Sequence, residues 1–519
     1  MKTAAINFYF RKVKMMFYNQ PPFRFSLPEI YSGFYGEDGK KLHEPARAAA
    51  SGYSSVDRNI LVTALLRQNE FLNNKKVNEN IRLLSSPDTF TVCTGHQLCL
   101  FGGPLFFAYK IITVIKLSRE LSEQLPGKKI IPVFWMATED HDLPEIISFH
   151  LFGKKYEWNT TQTGAVGRME TTGITELLRE VKQVKGNAPF ADEFISACEK
   201  AYAPGNNLAR ATRIFVNELF GESGLVCVDG DDSDLKKLFI PLMKHEMEEQ
   251  MVFRAMNEKN KSLLQSGIKP QAQAREYNLF YLSANKREGM VTDKENFSLQ
   301  NGNKKWSREE LLKEITNFPE RFSPNVLMRP LYQQLILPNI ANVGGPGELA
   351  YWIQLPELFS SLNIPFPALF PRISGVMAEE VQLEKINKLG LTINDFVQPV
   401  DDIVKQFIGG KEENFYLDEV KKKWENEFSS LAELIKKEDA SLEGTVNAEG
   451  KKMQKFLETL EAKIAKTKKQ KHEQEITQIK KIKEKFYPGG EMQERSDTVM
   501  EWYWKYGKEI LNIIGDIKL

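Results

Sequence analysis

The pattern of hydrophobic and polar positions changes twice along the 519 residues. In residues 54–72, apolar side chains recur at intervals of three and four, which is typical of an amphipathic helix. Ser54 or Ser55 is a candidate N-cap for this helix. The apolar positions are Ile60, Leu61, Ala64, Leu65 and Leu72. We therefore interpret residues 1–85 as an N-terminal helical segment.

The second pattern begins with an apolar run at residues 89–95, which predicts a buried strand. Residues 104–125 follow with helical spacing and Pro104 near the first turn. Residues 129–142 form another apolar run, which ends in acidic and imidazole groups. A strand, a helix and a strand in this order predict a right-handed crossover and a parallel sheet.

Two further apolar runs, at residues 224–232 and 364–374, predict additional strands of the same sheet. The stretches between the predicted strands are more polar and less regular. We therefore predict an α/β core over residues 86–409, with insertions at about 146–220 and 284–325.

From about residue 410 the chain is highly charged, and its apolar residues are again three and four apart. This spacing predicts an antiparallel coiled-coil hairpin over residues 410–487, with its break at Gly444 to Gly450. Residues 488–519 then contain a final aromatic helix, predicted to return to the core. The apolar positions are Leu417, Val420, Trp424, Phe428, Leu431 and Ile435 in the first arm, and Met453, Phe456, Leu460, Ile464, Ile476, Ile479, Ile482 and Phe486 in the second.

The amino-acid composition and net charge of the chain indicate which kinds of partner and which cellular location to expect. Hydrophobic residues make up 42% of the chain and the net charge is +1, so neither nucleic acid nor a membrane surface is the expected partner. Lys12 and Lys14 interrupt the apolar N-terminus early, which excludes a signal peptide. No apolar stretch of about 18 residues predicts a membrane span. We expect a cytoplasmic protein whose four cysteines are buried free thiols.

The first candidate site follows the first predicted strand, where Thr94, Gly95, His96 and Gln97 precede a helix. A glycine turn at a helix N-terminus directs backbone N–H groups toward an anion, and His96 and Gln97 add polar side chains. The alternative is that His96 caps the helix or is a core residue. The spacing is neither that of a dinucleotide fingerprint nor that of a P-loop.

The second candidate is the acidic exit of the next strand, where Glu139, Asp140, His141 and Asp142 are adjacent. Neighbouring carboxylates and an imidazole exchange protons readily, which favours acid–base chemistry. The alternative is a polar loop that caps the next helix. The spacing does not define a metal site, and we assign none.

The third candidate combines a glycine-rich turn with an arginine. Gly344 and Gly345 precede a short predicted helix that carries Glu348 in its first turn. Arg329 lies upstream in an apolar context, where a guanidinium needs an anionic partner. Glycine-rich turns are common, so this signal is weak when it stands alone.

Five segments, taken together and in order, resemble the BshC family of bacillithiol biosynthesis over about residues 55–519. They are CTGHQLCLFGGPLFFAYKIITVIKLS, PVFWMATEDHDLPEI, FSPNVLMRPLYQQLILPNIANVGGPGELAYWIQL, FPALFPRIS and GGEMQER. The resemblance implies a Rossmann-like core similar to class I nucleotidyltransferases, with inserted segments and a C-terminal coiled coil that forms a homodimer. TGHQ occupies the position of the signature that contains histidine in those enzymes.

The same resemblance implies a ligase that joins cysteine to glucosaminyl malate by an amide bond, the last step of bacillithiol biosynthesis. The sequence contains no standard ATP motif, so the activating cofactor stays open, with ATP or another nucleotide as the candidate. Two alternatives remain: a nucleotidyltransferase acting on another small acid, and a non-catalytic scaffold that binds a metabolite.

Two positions depart from the family pattern. Gln334 stands where an acidic residue is expected, and position 96 is often Gln in relatives, so His96 is expected to position substrate by hydrogen bonding. We predict that Asp140 binds the cysteine ammonium and that His141 accepts the proton of the attacking amine.

Overall fold

The structure is a computed structural model that describes residues 13–17, 53, 56–293, 295–411 and 417–515. The described residues form two compact units. The first lies within Phe17–Gly375 and Glu494–Leu519, and the second lies within Arg11–Met16 and Val376–Gln493. The division therefore falls after Gly375, whereas the sequence interpretation extends the core to residue 409.

The chain alternates between strands and helices through the first unit and is mainly helical in the second. The strands are β1 (Val13–Phe17), β2 (Thr89–His96), β3 (Lys129–Met136), β4 (Ser148–Leu151), β5 (Lys154–Glu157), β6 (Val226–Asp229), β7 (Leu279–Leu282), β8 (Arg287–Thr292), β9 (Asn296–Leu299), β10 (Lys305–Ser307), β11 (Phe322–Pro324), β12 (Asn339–Gly344), β13 (Ala368–Pro371) and β14 (Gly375–Glu379). The helices are α1 (Arg58–Asn69), α2 (Lys75–Leu83), α3 (Leu105–Gln124), α4 (Ile174–Gln183), α5 (Ala191–Ala201), α6 (Leu208–Phe220), α7 (Ser233–Glu249), α8 (Met251–Gln265), α9 (Arg308–Asn317), α10 (Arg329–Ile336), α11 (Pro346–Trp352), α12 (Pro356–Ser361), α13 (Glu380–Lys388), α14 (Val400–Lys411), α15 (Leu417–Glu438), α16 (Glu443–Lys471), α17 (Glu473–Phe486), α18 (Gln493–Ser496), α19 (Val499–Tyr506) and α20 (Glu509–Gly515).

A five-stranded parallel sheet lies at the centre of the first unit, in the order β13-β12-β2-β3-β6. The parallel α/β core predicted from the sequence is confirmed. Helix α3 connects β2 to β3 and packs against both strands. Its N-cap is Pro104, whose fixed φ suits the start of a helix. The carboxyl ends of the strands therefore meet at one edge of the sheet.

The sequence interpretation missed β12, an interior strand of this sheet. Asn339 and Asn342 interrupt its apolar pattern, although all six of its residues are buried. The Asn339 side chain bonds Gln334 at 2.9 Å and accepts a hydrogen bond from the Thr91 hydroxyl at 3.2 Å. A buried amide is tolerated when its hydrogen bonds are made, so this strand does not need a continuous apolar run.

The predicted insertions contain their own secondary structure. The first holds the β4-β5 hairpin and helices α4, α5 and α6. The second overlaps an antiparallel sheet in the order β10-β9-β8-β7-β11. Upstream, the predicted helix is present as α1, but Asp57 caps it. Ser54 and Ser55 lie outside the described residues.

The second unit contains the predicted antiparallel hairpin. Helices α15 and α16 pack side by side, and Lys421 pairs with Glu461 across them. The break was predicted wrongly. The turn lies between Glu438 and Glu443, and Gly444 and Gly450 are inside α16. A glycine costs only about 1 kcal/mol in a helix, which a long packed helix tolerates.

The C-terminal aromatic segment of the first unit is two helices instead of the single one predicted. Gly507 separates α19 from α20 with φ 63°, a conformation that favours glycine. Across the described residues, no helix is both long and apolar enough to cross a membrane. The four cysteines are buried free thiols, as predicted.

Candidate functional site

A cavity of ≈ 620 Å³ opens in the first unit at the carboxyl ends of β2 and β3. Its volume lies within the range of about 300–1,000 Å³ that is typical of small-molecule sites. Open α/β sheets bind their ligands at this edge. The walls come from the turn after β2, the exit of β3 and the N-terminus of α11. Seven residues singled out from the sequence line it: Gly95, His96, Gln97, Asp140, Arg329, Gly345 and Glu348.

The turn between β2 and α3 is shaped by close backbone packing. Gly103 has φ 53°, and a Cβ at this position would lie 2.4 Å from Cβ of Cys99, so only glycine fits. Thr94 has a structural contact, because its buried hydroxyl donates to the Val343 carbonyl at 2.8 Å and joins β2 to β12. Thr94 and Gly344 do not line the cavity.

His96 is held as a neutral ring. Its Nδ1 lies 2.9 Å from the Gln97 carbonyl, which only accepts, so Nδ1 carries the proton and Nε2 is an acceptor. Burial and the neighbouring Lys110 ammonium lower the pKa of His96 to about 3. His96 is therefore suited to accept a hydrogen bond from substrate and unsuited to act as a general acid near neutral pH.

Lys110 forms the base of the cavity, and the sequence interpretation did not identify it. Its ammonium lies 2.6 Å from Glu348 and donates to the Gly95 carbonyl at 2.9 Å. Glu348 also accepts from the Gly345 N–H at 2.8 Å. Burial acts to raise the pKa of Glu348, but the Lys110 ammonium holds it below its usual range. The two charges therefore neutralise each other.

Arg329 contributes a second cation near the Glu348 carboxylate, which is already paired with Lys110. Its guanidinium donates to Oε1 of Gln333 at 3.0 Å and to the Tyr351 hydroxyl at 2.9 Å, and both of these groups are uncharged. Among the residues that the structure describes, it forms no ion pair. A guanidinium in such a cavity is a ready partner for a carboxylate or phosphate.

Two further arginines line the cavity near the C-terminal segment of the first unit. Arg372 donates to Glu494 at 2.6 Å and to the Ile373 carbonyl at 2.8 Å. Its Nε has no hydrogen-bond partner among the described residues. Arg495 is exposed and lies 6.0 Å from the centre of the Phe106 ring. The wall is therefore rich in cations on this side.

The polar residues that follow β3 lie in different environments. Asp140 lines the cavity and accepts from Nε2 of Gln97 at 2.6 Å. Glu139 lies outside the cavity and pairs with Lys236, which is fully buried. His141 is exposed beside Arg287 and also does not line the cavity. The sequence predicted these three side chains at one site, and the structure brings only Asp140 to the wall.

Several lining residues were missed although the quoted motifs contained them. Arg372 lies in FPRIS and Arg495 in GGEMQER, but neither segment has the spacing of a recognised site. Lys110 looked like an ordinary polar position of an amphipathic helix. Only the fold brings these cations together, because they come from three distant parts of the chain.

Fold and cavity together define a Rossmann-like α/β protein with a cavity at the carboxyl edge of its parallel sheet. The chain belongs to the BshC family of bacillithiol biosynthesis. The family model for the BshC N-terminal Rossmann-like domain matches residues 28–373. The model for the BshC C-terminal coiled-coil domain matches residues 375–518. The resemblance inferred from the sequence motifs is therefore confirmed.

Similar curated proteins cover nearly the whole chain and carry the name "Putative cysteine ligase BshC". The protein of Flavobacterium johnsoniae is 38% identical over 468 residues, covering 90% of this chain and 88% of its own. That of Flavobacterium psychrophilum is 37% identical and covers 99% of this chain and 97% of its own. That of Cytophaga hutchinsonii is 40% identical and covers 86% and 84%.

Proposed function

We propose that the chain is a cysteine ligase that forms an amide bond between the carboxyl group of cysteine and the amine of glucosaminyl malate. One C–N bond forms and the elements of water leave. A free carboxylate does not react with an amine at a useful rate, so its oxygen must leave with an activating group. ATP or another nucleotide is the candidate activator.

The observation that carries this proposal is the Arg329 guanidinium on the cavity wall, which forms no ion pair among the described residues and whose hydrogen-bond partners are uncharged. Malate supplies two carboxylates, and we assign one of them to Arg329. A charge-assisted hydrogen bond of this kind contributes about 1.5–3 kcal/mol. Arg495 is exposed on the same wall and is suited to the second carboxylate, whereas Arg372 is already paired with Glu494.

Asp140 is the proposed partner of the cysteine ammonium. It lies on the cavity wall with 35% of its side chain exposed, so a ligand can reach its carboxylate. Glu145 also lines the cavity and adds negative charge on this side. A site with cations on one side and carboxylates on the other suits substrates that each carry both carboxylate and amino groups.

For His141 to accept the amine proton, its unprotonated ring nitrogen must be free. The Arg287 guanidinium only donates, so Nδ1 of His141, 3.3 Å from Nη1, is the acceptor of that contact. Neutral His141 therefore carries its proton on Nε2. Proton transfer to His141 requires Nδ1 to leave Arg287, whereas Asp140 already faces the cavity.

The experiment is to mix the purified protein with cysteine, glucosaminyl malate and ATP and to measure the thiol product by mass spectrometry. Omission of ATP tests the activator, and analysis of the nucleotide products separates adenylation from phosphorylation. We expect Asp140→Asn to lower turnover at least ~100-fold. His141→Gln gives a similar loss only if His141 is the proton acceptor. Absence of product from the wild-type protein with each nucleoside triphosphate contradicts the ligase proposal.

The coiled-coil hairpin is proposed to form a homodimer. Trp424 is 44% exposed and Phe456 is 59% exposed, as are other apolar positions along α15 and α16. Large apolar side chains on adjacent turns of a hairpin favour a second hairpin as the partner. A cytoplasmic location is proposed as well, supported by the four cysteines that remain free thiols.

A further inference from the structure

Arg287 begins β8 in the second insertion, far in sequence from the candidate site. Its guanidinium is fixed within the antiparallel sheet. Nε donates to the Ser323 hydroxyl at 3.1 Å, and Nη2 donates to the Pro324 carbonyl at 2.8 Å. The guanidinium also lies over the Phe280 ring, 4.1 Å from its centre. The side chain is only 7% exposed, so its orientation is set before any ligand binds.

The remaining nitrogen, Nη1, points away from this sheet and toward the exit of β3. It donates to Oδ1 of Asp140 at 3.2 Å. The other carboxylate oxygen, Oδ2, accepts from Gln97 at 2.6 Å. Asp140 is therefore held on both oxygens, by the turn after β2 on one side and by the insertion on the other.

The same nitrogen also determines the state of His141. Since Nη1 can only donate, Nδ1 of His141 is the acceptor and Nε2 carries the proton. The charged groups that face His141 are Arg287, Asp140, Asp142 and Arg275. Burial and then the Arg287 guanidinium lower the pKa of His141 against the opposing effect of the two carboxylates.

We infer that Arg287 is a positioning residue of the ligase: it holds the Asp140 carboxylate at the cavity wall and keeps Nδ1 of His141 engaged. This inference rests on the proposed function. Lysine cannot replace arginine here, because one ammonium cannot reach Ser323, Pro324 and Asp140 in the plane of a guanidinium. The insertion thereby contributes to the chemistry of the core through a single side chain.

A purely structural role for Arg287, fastening the insertion to the core, makes different predictions. Arg287→Gln and Arg287→Lys are therefore compared, with Arg275→Gln as the matched control. Arg275 also lies against the Phe280 ring, 5.1 Å from its centre, and is exposed. Thermal melts verify that each variant is folded before its activity is measured.

We expect Arg287→Gln and Arg287→Lys each to lower turnover at least ~10-fold, which is a loss typical of coupled neighbouring groups. The control variant Arg275→Gln should keep its turnover within ~3-fold of wild type. In a background that carries both Asp140→Asn and His141→Gln, Arg287→Gln should change turnover by less than ~2-fold, because its effect acts through these two side chains. A structural role instead gives the same loss in both backgrounds, and that result overturns the inference.

Titration of His141 by NMR provides a readout that does not depend on the reaction. Its pKa should rise in Arg287→Gln, because an adjacent positive charge is removed, and should rise less in Arg287→Lys. An unchanged titration in Arg287→Gln contradicts the contact itself. Absence of product from the wild-type protein counts against the proposed function, whereas full activity of Arg287→Gln counts against this inference alone.

Discussion

The ion pair between Arg372 and Glu494 gives a stability prediction that follows directly from the geometry. The two side chains are only 4% and 2% exposed. The Glu494 carboxylate accepts from Arg372 at 2.6 Å, from the Ser374 hydroxyl at 2.8 Å and from the Gly375 N–H at 3.0 Å. Glu494→Gln preserves the size of the side chain but replaces one acceptor oxygen with a donor.

The expected loss is about 3 kcal/mol of unfolding free energy in the first unit. Breaking a buried pair by removing one partner costs about 3–5 kcal/mol, because the other charge remains buried without its counter-charge. Ser374 and Gly375 both donate to Oε2, so a glutamine oxygen at that position retains these two hydrogen bonds and the lower end of that range applies. The double variant with Arg372→Met should lose less than the sum of the two single variants, since it leaves no unpaired charge.

The assay is urea unfolding followed by tryptophan fluorescence, which reports on the buried Trp502 and Trp504. Glu123→Gln, on the exposed face of α3, is the control and should be neutral. A loss below about 1 kcal/mol for Glu494→Gln, or strict additivity in the double variant, refutes the reasoning that this pair is a coupled buried contact.

Three further outcomes are expected. Arg329→Gln should raise the KM for glucosaminyl malate ~10–100-fold, because one charged hydrogen bond is lost. The KM is measured by steady-state kinetics with Arg179→Gln as the control, and an unchanged KM shows that Arg329 does not bind this substrate. The pKa of His96 is lowered to about 3 in the folded protein, whereas in the unfolded chain it is ~6.5. As the pH falls below ~6.5 the unfolded state therefore binds a proton that the folded state does not, and the free energy of unfolding should decrease by about 1.4 kcal/mol per pH unit. His96→Gln should remove this slope in acid titrations. Trp424→Ser with Phe456→Ser should give monomers in sedimentation, and a persistent dimer contradicts the hairpin interface.

The sequence predicts those parts of the fold that depend on local patterns. Strand β2 and helix α3 have uninterrupted apolar patterns and a proline at the helix start, and both were found within about two residues of their predicted bounds. Strand β12 was missed because Asn339 and Asn342 interrupt its apolar pattern, and the hydrogen bonds that allow their burial depend on the folded structure. The hairpin turn was misplaced because glycine in a helix is disfavoured locally but tolerated where tertiary packing holds the helix.

The residues of the candidate site could likewise be predicted only where they depend on local sequence patterns. Polar residues at the ends of β2 and β3 were identified because a parallel sheet brings its carboxyl ends together. Which of them face the cavity depends on pairing that the sequence does not contain: Lys236 holds Glu139 outside it, whereas Gln97 and Arg287 hold Asp140 at the wall. Charge compensation between distant segments therefore selects the residues available to a ligand. By this criterion Arg329 is a strong anion-binding candidate, since it lines the cavity and the side chains that it bonds are uncharged.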